Sequence, residues 1–213
     1  MAKVVVLDVD GTLMDTNYLH TEAWARAFEG AGFRIPRVRL HRQIGKGSGL
    51  LIREFVENEE TAQKVNELHG EIYGELQQYG HPLPGARELI STLKERGYGV
   101  WFVTSATDEE LEHHMQELEA EGNIDGVVNS SAVDNPKPAP DIFEETLRRA
   151  NASADETVAV GDAVWDVQSA RDAGIRTVAV LSGGAFARAE LEEAGAVAVY
   201  EDCAALLGSD FPE

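Results

Sequence analysis

Two pairs of aspartates stand where buried strands would end. Asp8 and Asp10 follow the first apolar, valine-rich run of the chain, and Asp162 and Asp166 follow a later one. If the two runs are neighbouring parallel strands, their carboxyl ends bring the carboxylates together, and such a cluster needs a hard cation. Mg²⁺ suits it, because this ion prefers octahedral oxygen ligands. Taken singly, each pair has another interpretation: an Asx-type turn at Asp10 or a helix N-cap at Asp162.

Groups that could hold a phosphate follow two further segments. Thr104 and Ser105 end another apolar run and offer a hydroxyl and backbone N–H groups at a strand-to-helix junction, which suits an anion. Lys137 lies between two prolines and would point a cation from a stiff loop. The alternative interpretations are a cap for the following helix and a solvated surface lysine.

These residues need a sheet to position them. Apolar runs typical of buried strands alternate with stretches of helical spacing, which predicts an α/β fold with a parallel sheet and helices on both faces. The predicted strands are Val4–Leu7, Val100–Val103, Thr157–Val160, Thr177–Leu181, Val197–Tyr200 and, as the weakest, Gly126–Asn129. Helices are predicted at 86–96, 108–121, 140–150, 164–173 and 188–194.

Residues 15–82 interrupt this alternation with helical spacing alone. The segment is far longer than the few residues that usually join a strand to a helix. We therefore predict an α-helical cap at 15–82, inserted into a core formed by 1–14 and 83–213. Loops at the carboxyl ends of parallel strands surround the ligand site, so the cap would lie over the aspartates.

In this order and spacing, the chemical segments resemble the four motifs of the haloacid dehalogenase-like superfamily. Asp8–Thr12 resembles the D-x-D-G-T motif, Thr104 the Ser/Thr of the second motif and Lys137 the basic residue of the third. Gly161 and Asp162 with Asp166 resemble the G-D-x-x-x-D form of the fourth. The predicted cap resembles that of the subgroup that includes phosphoglycolate phosphatases and beta-phosphoglucomutase. The resemblance covers nearly the whole chain and implies a Rossmann-like core with an inserted helical cap.

The resemblance also implies a role for each motif residue. Asp8 would be the nucleophile that forms an aspartyl-phosphate, and Asp10 would be the general acid and base. Mg²⁺ would be held by the Asp8 carboxylate, the Asp10 backbone carbonyl and Asp162, with Asp166 acting through water. The transferring phosphoryl oxygens would be held by Thr104, the N–H of Ser105 and Lys137.

The implied activity is hydrolysis of a small phosphomonoester, either phosphoglycolate-like or a sugar phosphate. Dehalogenases of the superfamily lack the second aspartate, so Asp10 argues against dehalogenation. In the cap loop at 41–49, Arg42 and Lys46 would contact the leaving group, and three glycines would allow close backbone approach. The alternative interpretation of this loop is a helix–helix turn with glycine C-caps. The loop resembles the I-G-x-G-x-x-x-L pattern of phosphoglycolate-phosphatase-like members more than the R-x-x-S stretch of hexose-phosphate mutases.

A phosphosugar mutase is the alternative enzyme. Asp15, Thr16, His20 and Trp24 resemble the D-T…H…W stretch that opens the cap of beta-phosphoglucomutase and its relatives. A capped amphipathic helix explains the same stretch, and packing or hinge placement fits His20 as well as a catalytic role does. The alternative from another class is a non-catalytic phosphate-binding module, against which the full set of aspartates weighs.

The composition limits the partners. With 38 Asp and Glu against 18 Lys and Arg, the net charge of −20 disfavours nucleic acid and membrane surfaces. We expect a small phosphorylated metabolite as the partner, and a monomer or weak homodimer. The single cysteine, Cys203, allows no internal disulfide, is typical of a cytoplasmic protein and is expected to be buried. We further expect His113 and His114 to face solvent and residues 208–213 to be frayed.

Overall fold

Six short strands form a single parallel sheet, as the alternation of apolar runs predicts. In the computed structural model, which describes residues 2–212, the strands are β1 (Val4–Asp8), β2 (Gly99–Thr104), β3 (Gly126–Asn129), β4 (Thr157–Gly161), β5 (Arg176–Val180) and β6 (Ala198–Tyr200). Their order across the sheet is β3-β2-β1-β4-β5-β6. The predicted α/β class is confirmed, and each of the predicted strands is present to within one residue at either end.

The strands that follow β1 in the sequence lie first on one side of it, as β2 and β3, and then on the other side, as β4 to β6. Strand β1 pairs with β2 on one side and β4 on the other, so that Leu7 lies opposite both Phe102 and Val160. The strand is buried along its whole length, with Val5 in the apolar cluster on one face of the sheet and Val6 in the cluster on the other. Where the chain changes sides in this way, the connecting loops leave in opposite directions and open a crevice at the carboxyl ends of the strands.

Helices cover both faces of the sheet. The cap contains α1 (Asn17–Gly30), α2 (Arg37–His41), α3 (Ser48–Arg53) and α4 (Glu59–Leu76), and the core contains α5 (Ala86–Glu95), α6 (Asp108–Glu117), α7 (Asp141–Ala150), α8 (Val164–Asp172), α9 (Arg188–Ala194) and α10 (Cys203–Leu207). The five predicted core helices correspond to α5–α9. Helix α6 ends before the expected residue 121, close to Glu119, which has a φ of 52°. Within residues 2–212 no helix is long and apolar enough to cross a membrane.

The cap helices bury apolar side chains against one another. Trp24, Phe28 and Leu51 belong to an apolar cluster that is distinct from the clusters on the sheet. The two chain segments that enter and leave these helices run side by side: Met14 bridges Pro82 in antiparallel fashion. The backbone N–H groups of residues 15 and 83 each donate to the opposite segment over 2.8 Å. The exact boundaries at 15 and 82 stay a prediction.

The C-terminal segment differs from the sequence expectation. Helix α10 was not predicted, and its first residue, Cys203, is fully buried, as expected for that cysteine. The expectation of a frayed tail is wrong for the described part, because Phe211 packs into the apolar cluster on the α5 face of the sheet. Arg96 and Arg176 donate to the backbone carbonyls of residues 211 and 212. Glu213 lies outside the described residues.

Candidate active site

Asp8 ends β1 at the crevice, where it is held by a fully buried lysine. The Nζ atom of Lys137 lies 2.6 Å from Oδ1 of Asp8 and 2.8 Å from Oδ1 of Asp166. Burial alone would lower the pKa of Lys137, but the adjacent carboxylates of Asp166 and Asp8 raise it above its ordinary value. Lys137 is therefore a fixed positive charge inside the protein, and the surface-lysine interpretation is wrong.

Three buried carboxylates converge around this lysine. Asp8, Asp162 and Asp166 each offer an oxygen within 4.8 Å of the others, and the Thr12 hydroxyl lies 3.1 Å from Asp8 and 3.2 Å from Asp162. Burial, followed by repulsion from Asp166, raises the pKa of Asp8 to about 7 and raises that of Asp162 well above its ordinary value. Among residues 2–212, Lys137 is the one lysine or arginine that contacts these carboxylates, so the fully ionised group would lack two positive charges. The donor set and its charge fit one divalent cation that prefers oxygen ligands.

Asp162 also depends on two neighbours that the sequence did not single out. Asn17, at the start of α1, donates from Nδ2 to Oδ2 of Asp162 over 3.0 Å and to the Gly183 carbonyl over 3.2 Å. A Cβ atom on Gly183 would lie 1.6 Å from Oδ2 of Asp162, so this position requires glycine. Asn17 thus joins the cap to the acidic cluster. Asn17 directly follows the Asp15-Thr16 pair, in a stretch that resembles an ordinary helix start. The sequence therefore contains no indication that Asn17 contacts Asp162.

Asp10 has a different environment from Asp8. Its Oδ1 accepts a 2.6 Å hydrogen bond from Thr16 and lies 3.3 Å from Nε2 of His20, and its Oδ2 lies 3.4 Å from the Thr104 hydroxyl. Burial would raise the pKa of Asp10, but the hydrogen bond and charge of His20 lower it below its ordinary value. Burial would in turn lower the pKa of His20, and Asp10 raises it. The two side chains form an ion pair beneath the cap.

A cavity of about 490 Å³ lies between the core and the cap, with Asp8 and Asp10 in its wall. His20, Lys46 and Ser105 also line it. Lys46 is engaged within the cap by Gln43 and Glu54, and its Nζ lies 4.2 Å from the centre of the Trp165 ring. The Ser105 hydroxyl donates to the carbonyl of Gly45 over 3.2 Å, so the cap loop is docked on the core.

Arg42 does not line this cavity. Its Nη2 lies 2.6 Å from Oε1 of Glu190, Nη1 donates to the Ala185 carbonyl, and the guanidinium lies over the Phe186 ring at 4.7 Å. Arg42 therefore joins the cap to the core in this structure, and its contact with a leaving group stays a prediction. The physical reason for the contact with the core is the Glu190 carboxylate, which lies nearby in the first turn of α9.

The position of His114 differs from the expectation that this side chain faces solvent. This residue is fully buried, whereas His113 is half-buried. Nε2 of His114 lies 3.9 Å from Oδ1 of Asp10, and neither ring nitrogen has a hydrogen-bond partner among the described residues. Burial lowers the pKa of His114, so the ring is neutral near pH 7. The glutamates around it in α6 made the helix look solvent-exposed, although adjacent residues on a helix face different directions.

The comparisons with known proteins agree with this geometry. The family model of the haloacid dehalogenase-like hydrolases matches residues 2–174. The chain belongs to this family. A phosphorylated carbohydrates phosphatase of Thermotoga maritima is 30% identical over 93% of this chain and 94% of its own length. A phosphoglycolate phosphatase of Pseudomonas fluorescens is 24% identical over 93% of this chain and 76% of its own length. The crystal structure of a hydrolase from Pseudomonas syringae superimposes with a TM-score of 0.91 at 34% identity, covering 97% of this chain and 96% of that one.

These findings confirm the predicted family, its Rossmann-like fold and a phosphatase-type hydrolase. The structure brings together Asp8, Asp10, Thr104, Lys137, Asp162 and Asp166, as the motif order predicts. It places His20, Lys46 and Ser105 at the cavity and Arg42 outside it. The roles assigned to the individual residues stay predictions.

Proposed function

We propose that this protein is a Mg²⁺-dependent phosphatase that hydrolyses a small phosphomonoester through an aspartyl-phosphate on Asp8. The observation that carries the proposal is the different setting of two aspartates at one cavity. Asp8 lies against Lys137 in a cluster that lacks two positive charges, and Asp10 is paired with His20. Without a cation, the pKa of Asp8 is raised and that of Asp10 is lowered. The roles of nucleophile and proton-transfer group therefore require a bound cation to keep Asp8 ionised, and His20 to supply the proton that passes through Asp10.

In the first half-reaction, a carboxylate oxygen of Asp8 bonds to phosphorus while the bond from phosphorus to the ester oxygen breaks. The leaving oxygen takes a proton from Asp10. In the ion pair this proton would come from Nε2 of His20, which lies 3.3 Å from Oδ1 of Asp10, and would pass through Asp10 to the leaving oxygen. In the second half-reaction, Asp10 takes a proton from water, the water oxygen bonds to phosphorus, and the bond from phosphorus to Asp8 breaks. Inorganic phosphate is the product.

The remaining motif residues would balance charge. Asp8, Asp162 and the backbone carbonyl of Asp10 would hold Mg²⁺, with Asp166 acting through water, and the ion would supply the positive charge that lets a carboxylate approach a phosphate dianion. Lys137, Thr104 and the backbone N–H of Ser105 hold the phosphoryl oxygens. The direct contact of Lys137 with Asp166 would keep the ammonium group aimed at Asp8.

The test is hydrolysis of p-nitrophenyl phosphate with and without Mg²⁺. We expect Mg²⁺-dependent release of nitrophenol that falls at least about a thousandfold in Asp8→Asn, because the nucleophile is lost. Asp155→Asn, which neutralises an exposed aspartate in the turn before β4, is the matched control. Activity that is independent of Mg²⁺ or unimpaired in Asp8→Asn would overturn the proposal. Mg²⁺ binding without turnover would instead indicate a non-catalytic module.

A phosphosugar mutase is the second candidate, since Thr16 and His20 both contact Asp10 at the junction with the cap. Such an enzyme would return the phosphoryl group from Asp8 to a second hydroxyl instead of transferring it to water. A hexose 1-phosphate distinguishes the two. If the hexose 1-phosphate is converted to the hexose 6-phosphate faster than inorganic phosphate is released, the mutase is favoured.

We also propose that the natural substrate is a small phosphorylated metabolite of the cytosol, handled by a monomer or weak homodimer. The chain-wide charge of −20 supports a small ligand over a polyanion, and a single buried cysteine supports a reducing compartment.

A further inference from the structure

One wall of the cavity is acidic. Asp108, Glu109 and Glu110 are consecutive residues in the first turn of α6, and all three line the cavity. Glu110 accepts a 2.6 Å hydrogen bond from the backbone N–H of Thr107, and Asp108 accepts one of 2.6 Å from Asn129. Glu109 is exposed. The first two therefore have a local role at the helix start, where acids are favoured, and all three still present negative charge to a ligand.

Few positive charges oppose this wall. Among the cavity-lining side chains of residues 2–212, Lys46 is the one lysine or arginine. Its ammonium group is held by Gln43 and Glu54. His20, which also lines the cavity, is paired with Asp10. A carboxylate on a leaving group would meet three acids and no cation that is free of a carboxylate partner.

The cap side of the cavity has two polar groups without hydrogen-bond partners among the described residues: a tyrosine hydroxyl, which can donate or accept, and an amide oxygen, which can only accept. Tyr73 and Gln77 lie one helical turn apart and both line the cavity. The Tyr73 hydroxyl, on a side chain that is 1% exposed, and Oε1 of Gln77 are buried and have no hydrogen-bond partner among the described residues. Gly70 and Gly74 border the same region, and a Cβ atom at either would meet no other atom within 4 Å. A buried acceptor without a donor costs free energy, so this wall fits a ligand that brings N–H or O–H groups.

We propose that the cavity selects phosphomonoesters whose leaving alcohol carries an ammonium group and rejects those whose leaving alcohol carries a carboxylate. This inference rests on the proposed phosphatase function and names its substrate class. The ammonium group would donate to the Tyr73 hydroxyl or to Oε1 of Gln77 while the acidic side chains of α6 balance its charge. The phosphoryl end would remain with Asp8 and Lys137.

Three esters with two-carbon leaving groups test the proposal, because they differ mainly in charge. Phosphoethanolamine carries an ammonium group, 2-hydroxyethyl phosphate is neutral at that end, and phosphoglycolate carries a carboxylate. We expect kcat/KM to fall in that order, with phosphoethanolamine at least about tenfold above phosphoglycolate at low salt. Added salt should reduce this ratio, because it screens charges that are reached from solvent.

Single substitutions on α6 test whether the acidic wall causes the selectivity. Glu109→Gln and Glu110→Gln should each lower the ratio of phosphoethanolamine to phosphoglycolate by about three- to fivefold. Glutamine can still accept the helix-capping hydrogen bond at position 110. Glu112→Gln is the matched control, since this exposed glutamate lies on the same helix but does not line the cavity. Tyr73→Phe keeps the ring and removes the acceptor, so it should lower kcat/KM for phosphoethanolamine more than for 2-hydroxyethyl phosphate.

The results distinguish a failure of the proposed phosphatase activity from a failure of the proposed charge selectivity. Failure to hydrolyse p-nitrophenyl phosphate and all three esters would refute the proposed phosphatase. Hydrolysis with phosphoglycolate equal to or better than phosphoethanolamine would overturn the selectivity alone. A ratio that stays at its wild-type value in Glu109→Gln and Glu110→Gln would also overturn it, because charge at this wall would then not decide the choice.

Discussion

Replacing Lys137 by methionine tests whether charge balance holds the site together. The substitution keeps an unbranched side chain of similar length and removes the ammonium group. In the wild-type protein that group contacts two carboxylates at 2.6 and 2.8 Å, and all three side chains are buried. After the change, the buried cluster of Asp8, Asp162 and Asp166 would hold three carboxylates without the ammonium group that contacts two of them.

The expected cost follows from this geometry. Removing one partner of a buried ion pair typically destabilises a protein by about 3–5 kcal/mol, because the remaining charge is left uncompensated. Here two carboxylates lose their partner, but Asp8, whose pKa is raised to about 7, can take up a proton, so we place the metal-free variant in the middle of that range. The total stability of a domain is about 5–15 kcal/mol, so Lys137→Met should be near the limit of folding without a divalent cation.

Urea unfolding in EDTA and in Mg²⁺ measures the effect. Lys64→Met, at an exposed lysine on α4, is the control and should change the free energy of unfolding by less than about 0.5 kcal/mol. Adding Asp166→Asn to Lys137→Met should recover about 2 kcal/mol, because one of the unpaired charges is removed. A single variant within about 1 kcal/mol of wild type would refute the charge-balance argument. A double variant as unstable as the single one would assign the loss to packing.

Three further changes have expected outcomes. The raised pKa of Asp8, about 7 against an ordinary 3.8, gives the metal-free protein stability that is complete below pH 4 and lost as pH rises through 7; the melting temperature in EDTA should fall over this interval, and Mg²⁺ should raise it more at pH 8 than at pH 5. Glu190→Gln breaks the exposed pair with Arg42 and should raise KM by at most about fivefold, and a larger rise would show that the pair does more than hold the cap loop on the core. Phe211→Ala should lower the free energy of unfolding, measured by urea, by about 2–3 kcal/mol. An unchanged free energy of unfolding would show that the C-terminal segment does not contribute to the core and is frayed after all.

The charged centre of the site was predictable because strand ends constrain it. Once the runs before Asp8 and Asp162 are assigned to parallel strands, sheet geometry brings their carboxyl ends to one edge. The two strands proved to be direct neighbours. Strand pairing therefore brings Asp8 and Asp162 to one edge, and Lys137 and Asn17 then hold their carboxylates in place. Lys137 followed from its motif position, although the sequence alone did not indicate that it is completely buried.

Side-chain direction within the helical parts was less predictable. His114 lies among glutamates in α6, and local polarity indicated solvent, yet the ring packs beside Asp10. Arg42 lies in the expected cap loop, but Glu190 in a distant helix attracts it away from the cavity. Both outcomes depend on contacts between residues far apart in the chain. Periodicity reports which residues share a helix face, and it carries no information about which neighbour that face meets.

The side-by-side course of the two segments that join cap and core has a consequence for the history of the chain. Because entry and exit are bridged at Met14 and Pro82, everything between them begins and ends at almost the same place on the core. The intervening stretch could then be lengthened, shortened or exchanged for another with little distortion of the sheet.

Such an exchange would also remove Thr16, Asn17 and His20, which contact Asp10 and Asp162. The acidic first turn of α6, in contrast, would stay with the core. A chimaera that keeps the core together with Thr16, Asn17 and His20 and replaces the rest of the segment would retain phosphoryl transfer and the charge preference set by α6, while the cavity wall formed by α4 would change.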